Sequence, residues 1–284
     1  MKTYLECIPC FLIQALRAGR LAGLDDPSIY NMLVELGGRI KDIPMDSPPP
    51  LTAIGIYDLI NQHLGDDDPF KKVKEESTKA ALALYPRLKK DISDSDDPIG
   101  LALRLAIVGN VIDFGAPGQF DLEAEVEGIL EQPFGRWEEE EFNRALSSAD
   151  WILYLGDNTG ETVFDRLLIE TLDQPVTYVV RGGPIINDAT MEDAVAAGID
   201  KVAKVISSGY RAPGTILERS SEELRDLFER APLIISKGQG NFETLSEVKG
   251  RLFFLLKTKC PVVARHLGTK VGDMVLCKSS VWPV

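Results

Sequence analysis

The run Trp151-Ile-Leu-Tyr-Leu-Gly156-Asp157-Asn158-Thr159-Gly160-Glu161 constrains the fold more than any other stretch of the chain. Consecutive large apolar residues followed by turn formers read as a strand buried on both faces, the kind found in parallel sheets. The Gly, Asn, Thr and Gly after it read as a tight turn into a helix near 160–172. The same texture recurs downstream, with candidate strands at 175–180, 201–206, 232–236, 251–256 and 274–278 and amphipathic segments near 190–197, 220–230 and 241–248 between them. Thr190-Met-Glu-Asp193 and Ser220-Ser-Glu-Glu223 fit helix starts. This βαβ alternation predicts an α/β fold whose mainly parallel sheet is covered on both faces.

The first half has a different texture. Cys7-Ile-Pro-Cys10 leads into an apolar helical pattern that stops at Gly23, and Asp26-Pro27-Ser28 opens a second one. Ser47-Pro-Pro-Pro50 breaks the chain, and helical patterns resume near 51–64 and 69–90. Asp96-Asp97-Pro98 opens a helix through Val108 that ends at Gly109-Asn110-Val-Ile-Asp113-Phe-Gly115, and acidic helices are expected near 121–131 and 137–148. The expected division is therefore a helical domain over 1–148 and an α/β domain over 149–284.

Composition narrows the partners. A formal net charge of −13 argues against a broad nucleic-acid footprint and against adhesion to anionic membrane, so a phosphate must be held locally. No apolar stretch approaches the ~20 residues that span a bilayer, and the amino terminus lacks the apolar core of a signal peptide. A cytoplasmic protein is expected, with its four cysteines reduced.

Open α/β sheets bind ligands beyond the carboxyl ends of their strands, where polar chemistry here begins. Asp157 and Asn158 leave the first strand, and Arg181-Gly-Gly-Pro-Ile-Ile-Asn187-Asp188-Ala-Thr190 leaves the second. If those strands are neighbours, Asn187 and Asp188 share a crevice with Asp157 and Asn158. Two carboxylates and a carboxamide suit a hard divalent cation, Mg²⁺ or Mn²⁺ by ligand type. The same residues are also common as turn and helix caps, and that reading stands beside the first. A third exit, Ser236-Lys237-Gly238-Gln-Gly240-Asn241-Phe-Glu243, places a lysine among glycines ahead of a helix, which suits a phosphate. Neither a nucleotide-triphosphatase loop nor a dinucleotide fingerprint is present. Asn110 and Asp113 would reach the crevice from the helical half, or serve there as C-cap residues. For Cys7-x-x-Cys10 the readings are a second metal site, a thiol site or plain buried thiols. With only His63 and His266 in the chain, a multi-histidine zinc centre is excluded.

Gly156-Asp-Asn-Thr-Gly-Glu161, Arg181 to Thr190 and Lys237 to Glu243 together resemble the "domain of unknown function 89" family, regarded as metal-dependent damage-control phosphatases. The likeness extends to Gly109–Gly115 and to Cys7-x-x-Cys10, which look like the shorter prokaryotic members. The resemblance implies a helical amino-terminal portion packed on a Rossmann-like α/β/α sheet. It implies a divalent ion (Mg, Mn, Co or Ni) on Asp157, Asn158 and Asp188, with Lys237 contacting phosphate.

The expected activity is hydrolysis of small phosphomonoesters, sugar phosphates or damaged phosphorylated metabolites, by attack of a metal-activated water. Asp157, Glu161 and Lys237 are the candidate catalytic residues, and Glu161 would orient or deprotonate the water. Asn110, Asp113, Asn187, Gly238, Gly240, Asn241 and Lys237 are the candidate phosphate contacts. An aspartyl-phosphate on Asp157 is the mechanistic alternative. The rival functions are a Rossmann-like methyltransferase, a metal- or nucleotide-binding regulator without turnover, and a thiol-disulfide protein.

Overall fold

The computed structural model describes residues 1–65, 68–109, 128, 132 and 134–282. The expectations for Asn110, Asp113 and the acidic helix near 121–131 lie outside the described residues.

Three helices open the chain, α1 (Cys7–Leu21), α2 (Asp26–Arg39) and α3 (Pro49–Leu64). They seal against one another through Phe11, Ala15, Met32, Leu36, Ile56 and Ile60. The cap of α2 is Asp25, one residue earlier than expected; its carboxylate accepts from the Ser28 amide at 3.0 Å while Pro27 fills the first turn. A longer helix, α4 (Lys71–Ser93), and a shorter one, α5 (Pro98–Val108), follow. Asp97 caps α5 as its Asp-Pro start predicts, accepting from the Gly100 amide at 3.0 Å.

Among the described residues the sheet has seven strands, β1 (Phe134–Trp137), β2 (Ile152–Leu155), β3 (Val176–Val180), β4 (Lys204–Ser207), β5 (Ile234–Lys237), β6 (Leu252–Lys257) and β7 (Met274–Lys278), in the order β1-β7-β6-β5-β2-β3-β4. From β6 to β4 all neighbours are parallel, whereas β7 runs antiparallel to β6 and β1 follows β7. Strand β1 is absent from the sequence reading. Phe-Gly-Arg-Trp is four residues long, lies on the sheet edge and has two exposed central residues, so it lacks the apolar run that marks the others.

Helices α6 (Glu139–Ser148), α7 (Thr162–Thr171) and α8 (Met191–Ala197) join α4 and α5 on one face, where Ile152 and Tyr154 of β2 point. Helices α9 (Glu222–Arg230), α10 (Gly238–Leu245) and α11 (Pro261–Leu267) cover the other face, met by Leu153 and Leu155. Every β2 side chain is thus buried, as the uninterrupted apolar run requires. Each large one contributes roughly 1.5–3 kcal/mol of burial. The α/β/α expectation holds, and the core under β2 and β3 takes in α4, α5 and α6, so these three helices, which precede residue 149, share its packed layers. No helix among the described residues is long and apolar enough to cross a membrane.

From β2 the chain winds outward through β3 and β4, then returns to place β5 on β2's other flank. The carboxyl ends of β2 and β5 therefore flank the topological switch point, where a crevice opens. Helices α1 and α3 roof it, α3 packing on α10.

Candidate functional site

Beyond Leu155 the backbone must pass close to β3, and Gly156 permits it: a Cβ there would strike the Tyr178 hydroxyl. Asp157 and Asn158 come next. After β3 the loop 182–190 doubles back and is zipped to the β2 exit, with Thr159 N donating to Asn187 O (2.8 Å), Ala189 N to Asp157 O (2.8 Å) and an isolated bridge between Asn158 and Asp188. Ile186 holds a left-handed φ of 48° in this loop, a conformation that costs a β-branched residue about 1–3 kcal/mol and turns Asn187 and Asp188 back toward β2. The structure thus brings together Asp157, Asn158, Asn187 and Asp188.

Arg181 clamps them from below. Its Nη2 donates to Asp157 Oδ1 at 3.0 Å and its Nε to Asp188 Oδ2 at 2.6 Å. Its Nη1 reaches Asn241 Oδ1 at 3.2 Å. Asn241 is fully buried: Oδ1 also accepts from Thr215 N (2.8 Å), and Nδ2 donates to Lys237 O (2.8 Å) and Gly156 O (3.2 Å). Such a carboxamide ties three loops together.

Lys237, expected as a phosphate contact, is turned into the core. Its side chain has no solvent exposure, and its ammonium donates to Ala106 O (2.7 Å), Glu161 Oε1 (2.8 Å) and Asp165 Oδ1 (2.6 Å). All three N–H bonds are taken by protein oxygens, and neither Lys237 nor Asn241 lines the cavity. Asp165 accepts in turn from the Tyr154 and Tyr178 hydroxyls, each at 2.7 Å, from rings that stack on adjacent strands. Glu161 Oε2 accepts from Asn158 N and Nδ2, both at 3.1 Å. Lys237 therefore holds Glu161, and Glu161 holds Asn158. Gly109, the last described residue before the Asn110 segment, packs against Glu161.

Asp165, Arg181, Tyr154 and Tyr178 escaped the sequence reading. A signal existed for Asp165: an acid among the apolar positions of Thr-Val-Phe-Asp-Arg-Leu-Leu, one turn after Glu161, belongs on the inner face of α7.

Four buried carboxylates, Asp157, Glu161, Asp165 and Asp188, thus stand against two buried cations, Arg181 and Lys237. The excess negative charge registers in the acids. Burial raises Glu161 to about 7, with Asp157 and Asp165 adding to the rise and Lys237 opposing it. Burial likewise raises Asp188 to about 7 despite Arg181, with Asp157 contributing. The hard-oxygen donor set and this imbalance both fit a divalent cation. Among the described residues no three Asp, Glu, His or Cys side chains alone form a cage. The Asn158 carboxamide and water would have to complete the shell.

Above this floor lies a cavity of about 450 Å³, lined by Asp157, Asn158, Asn187 and Asp188 below and by α1, α3 and α11 above. Cys7 and Cys10 line it together with Cys260, which the fold delivers from the start of α11. Burial raises both Cys7 and Cys10 thiols, so they are neutral near pH 7. Gly240 also lines the cavity, and Gly238 (φ 79°) sits against Asp157 at the start of α10. A Cβ on Gly238 would collide with the Asp157 carboxylate. Gly238→Ala is accordingly expected to displace the Asp157 carboxylate and to cost about 1–3 kcal/mol of stability through the strained left-handed backbone, measured by urea denaturation.

The family model for the damage-control phosphatase ARMT1-like domain matches residues 3–275. Damage-control phosphatase PH1575 of Pyrococcus horikoshii is 38% identical, over 98% of this chain and 99% of its own length. A damage-control phosphatase of Archaeoglobus fulgidus is 35% identical over 97% and 98%. The crystal structure of the P. horikoshii DUF89 family protein superposes with a TM-score of 0.90, covering 99% of this chain and 100% of that one. With its sheet order, its switch-point carboxylates and these full-length likenesses, the chain belongs to the damage-control phosphatase ARMT1-like (DUF89) family.

Proposed function

We propose that this protein is a divalent-metal-dependent phosphatase that hydrolyses small phosphomonoesters, sugar phosphates or damaged phosphorylated metabolites. The observation that carries the reading is the buried cluster at the β2/β5 switch point, where four carboxylates face two cations. Relatives named damage-control phosphatases over nearly their full length support it.

In this reading Asp157, Asn158 and Asp188 hold the ion. Mg²⁺, Mn²⁺, Co²⁺ or Ni²⁺ there would offset phosphoryl charge and acidify a water. The chain itself does the positioning. Arg181 fixes one oxygen of each aspartate, and Glu161 fixes the Asn158 carboxamide. Glu161 is a positioning residue here, fully buried between Lys237 and Asn158. The first turn of α10 offers the Gly238, Gln239 and Gly240 amides, which lack intrahelical acceptors, to the phosphate beside Asp157. Water attack is favoured over an aspartyl-phosphate because both Asp157 oxygens already accept hydrogen bonds, from Arg181 and from Asn158 Nδ2 (3.1 Å). Phosphoryl transfer asks chiefly for such positioning and charge stabilisation.

The functional test is phosphate release from a panel of sugar phosphates after chelation, with each ion added back. Turnover that returns with the ion supports the reading, and a folded protein inert with every ion and substrate overturns it.

A pH signature follows as well. Glu161 and Asp188 have folded-state values raised above their ordinary 4.5 and 3.8, so the folded state binds their protons more tightly than the unfolded chain. The metal-free fold therefore loses stability as pH rises from about 4 to about 7, where the penalty of ionising these groups is complete, and regains it as pH falls back through that window. Protons and the ion compete for the same oxygens. The rise in Tm caused by Mn²⁺ is therefore expected to be larger near pH 8 than near pH 6, by differential scanning fluorimetry.

A further inference from the structure

Glu243 lies on α10 one turn beyond Gln239, and both side chains line the cavity. Gln239 Nε2 donates to Glu243 Oε1 at 2.9 Å. The protein amino terminus donates to the Glu243 main-chain oxygen (2.8 Å), while its ion pair is with Glu247 at 3.8 Å. Among the described residues the Glu243 carboxylate is thus held by an amide and makes no salt bridge, the amino-terminal ammonium acting on it only through space. Its neighbourhood on the cavity wall is neutral and soft: the Cys7 and Cys10 thiols, the Cys260 thiol that accepts from Gln239 Nε2 at 3.6 Å, and prolines of α1 and α3. Glu6 on the same wall is paired with Arg265 at 2.7 Å. Lys259, exposed at the rim, is the one basic side chain among the described lining residues. A phosphate seated at the start of α10 would leave the rest of the molecule running along this wall toward Glu243.

We propose that Glu243 is a specificity residue. It accepts a hydrogen bond from a hydroxyl or amine on the body of the phosphomonoester and rejects substrates that carry a second anionic group there. The substrate class is then a monophosphate with a neutral or cationic, hydrogen-bond-donating body. This rests on the phosphatase reading above and adds a selection rule to it. Burial raises Glu243 to about 7 against the opposing pull of Gln239 and the amino-terminal ammonium, so at about pH 8 the side chain is a carboxylate. Facing a second phosphate it makes a like-charge contact that divides efficiencies by about tenfold or more.

The test compares kcat/KM for fructose 6-phosphate and fructose 1,6-bisphosphate, with Mn²⁺, in wild type, Glu243→Gln and Glu243→Lys, alongside Tm values. Wild type is expected to prefer the monophosphate by about tenfold or more, Glu243→Gln to bring the ratio within about threefold, and Glu243→Lys to shift it toward the bisphosphate. A purely structural glutamate would lower both efficiencies together and leave the ratio unchanged. Equal wild-type efficiencies, or a ratio identical in the folded variants, overturn the proposal while phosphate release itself still stands. No release from either substrate, nor from any other member of the sugar-phosphate panel with any ion, removes the phosphatase reading and this proposal with it. Should one variant fail to fold, the other decides by the same ratio.

Discussion

Asp157→Asn is expected to lower ion-dependent phosphate release by about 10²–10³-fold while the protein still folds. The amide keeps the volume packed against Gly238 but removes the charge from the centre of the crevice. Arg181 retains Asp188 at 2.6 Å and Asn241 at 3.2 Å, so its guanidinium is not abandoned. Loss of the negative charge also relaxes Glu161 and Asp188, both of which Asp157 pushes upward, so stability is expected to change little. Steady-state phosphate release beside a thermal scan checks both halves. A variant that keeps full activity would remove Asp157 from the site.

Lys237→Met is expected to produce the largest stability loss. The substitution leaves Glu161 and Asp165, both without solvent exposure, with no cation in contact. Breaking a buried pair from one side costs about 3–5 kcal/mol, which for a chain of this size lowers Tm by on the order of ten degrees. The deficit should shrink toward pH 5.5, where Glu161, already raised by burial, takes up a proton. Were Lys237 chiefly a phosphate ligand, Lys237→Met would keep its Tm and lose activity alone. Urea denaturation at two pH values separates the outcomes.

Strands β2, β3 and β5 were legible because they are central and almost wholly buried, which demands large apolar residues at most positions. Edge strand β1, with Gly135 and Arg136 exposed, carries no such mark. Asp157, Asn158 and Asp188 were legible because they sit at the exits of strands that proved to be hydrogen-bonded neighbours. Roles within the site were harder to read. A lysine among glycines has the same sequence appearance whether it faces a phosphate or, as here, turns beneath the sheet toward Ala106, Glu161 and Asp165. That distinction depends on α5 and α7 packing over β5's end, which no local pattern encodes. Likewise Cys260 joins Cys7 and Cys10 at the cavity only through the placement of α11 against α1's start.

The most direct measurement is an anomalous difference map from crystals grown with Mn²⁺ and phosphate. One strong peak is expected about 2–2.3 Å from oxygens of Asp157, Asn158 and Asp188, with phosphate against the Gly238–Gly240 amides. A peak at the cysteine-lined wall instead, or none in the crevice with Arg181 still bridging the two aspartates alone, would contradict this placement.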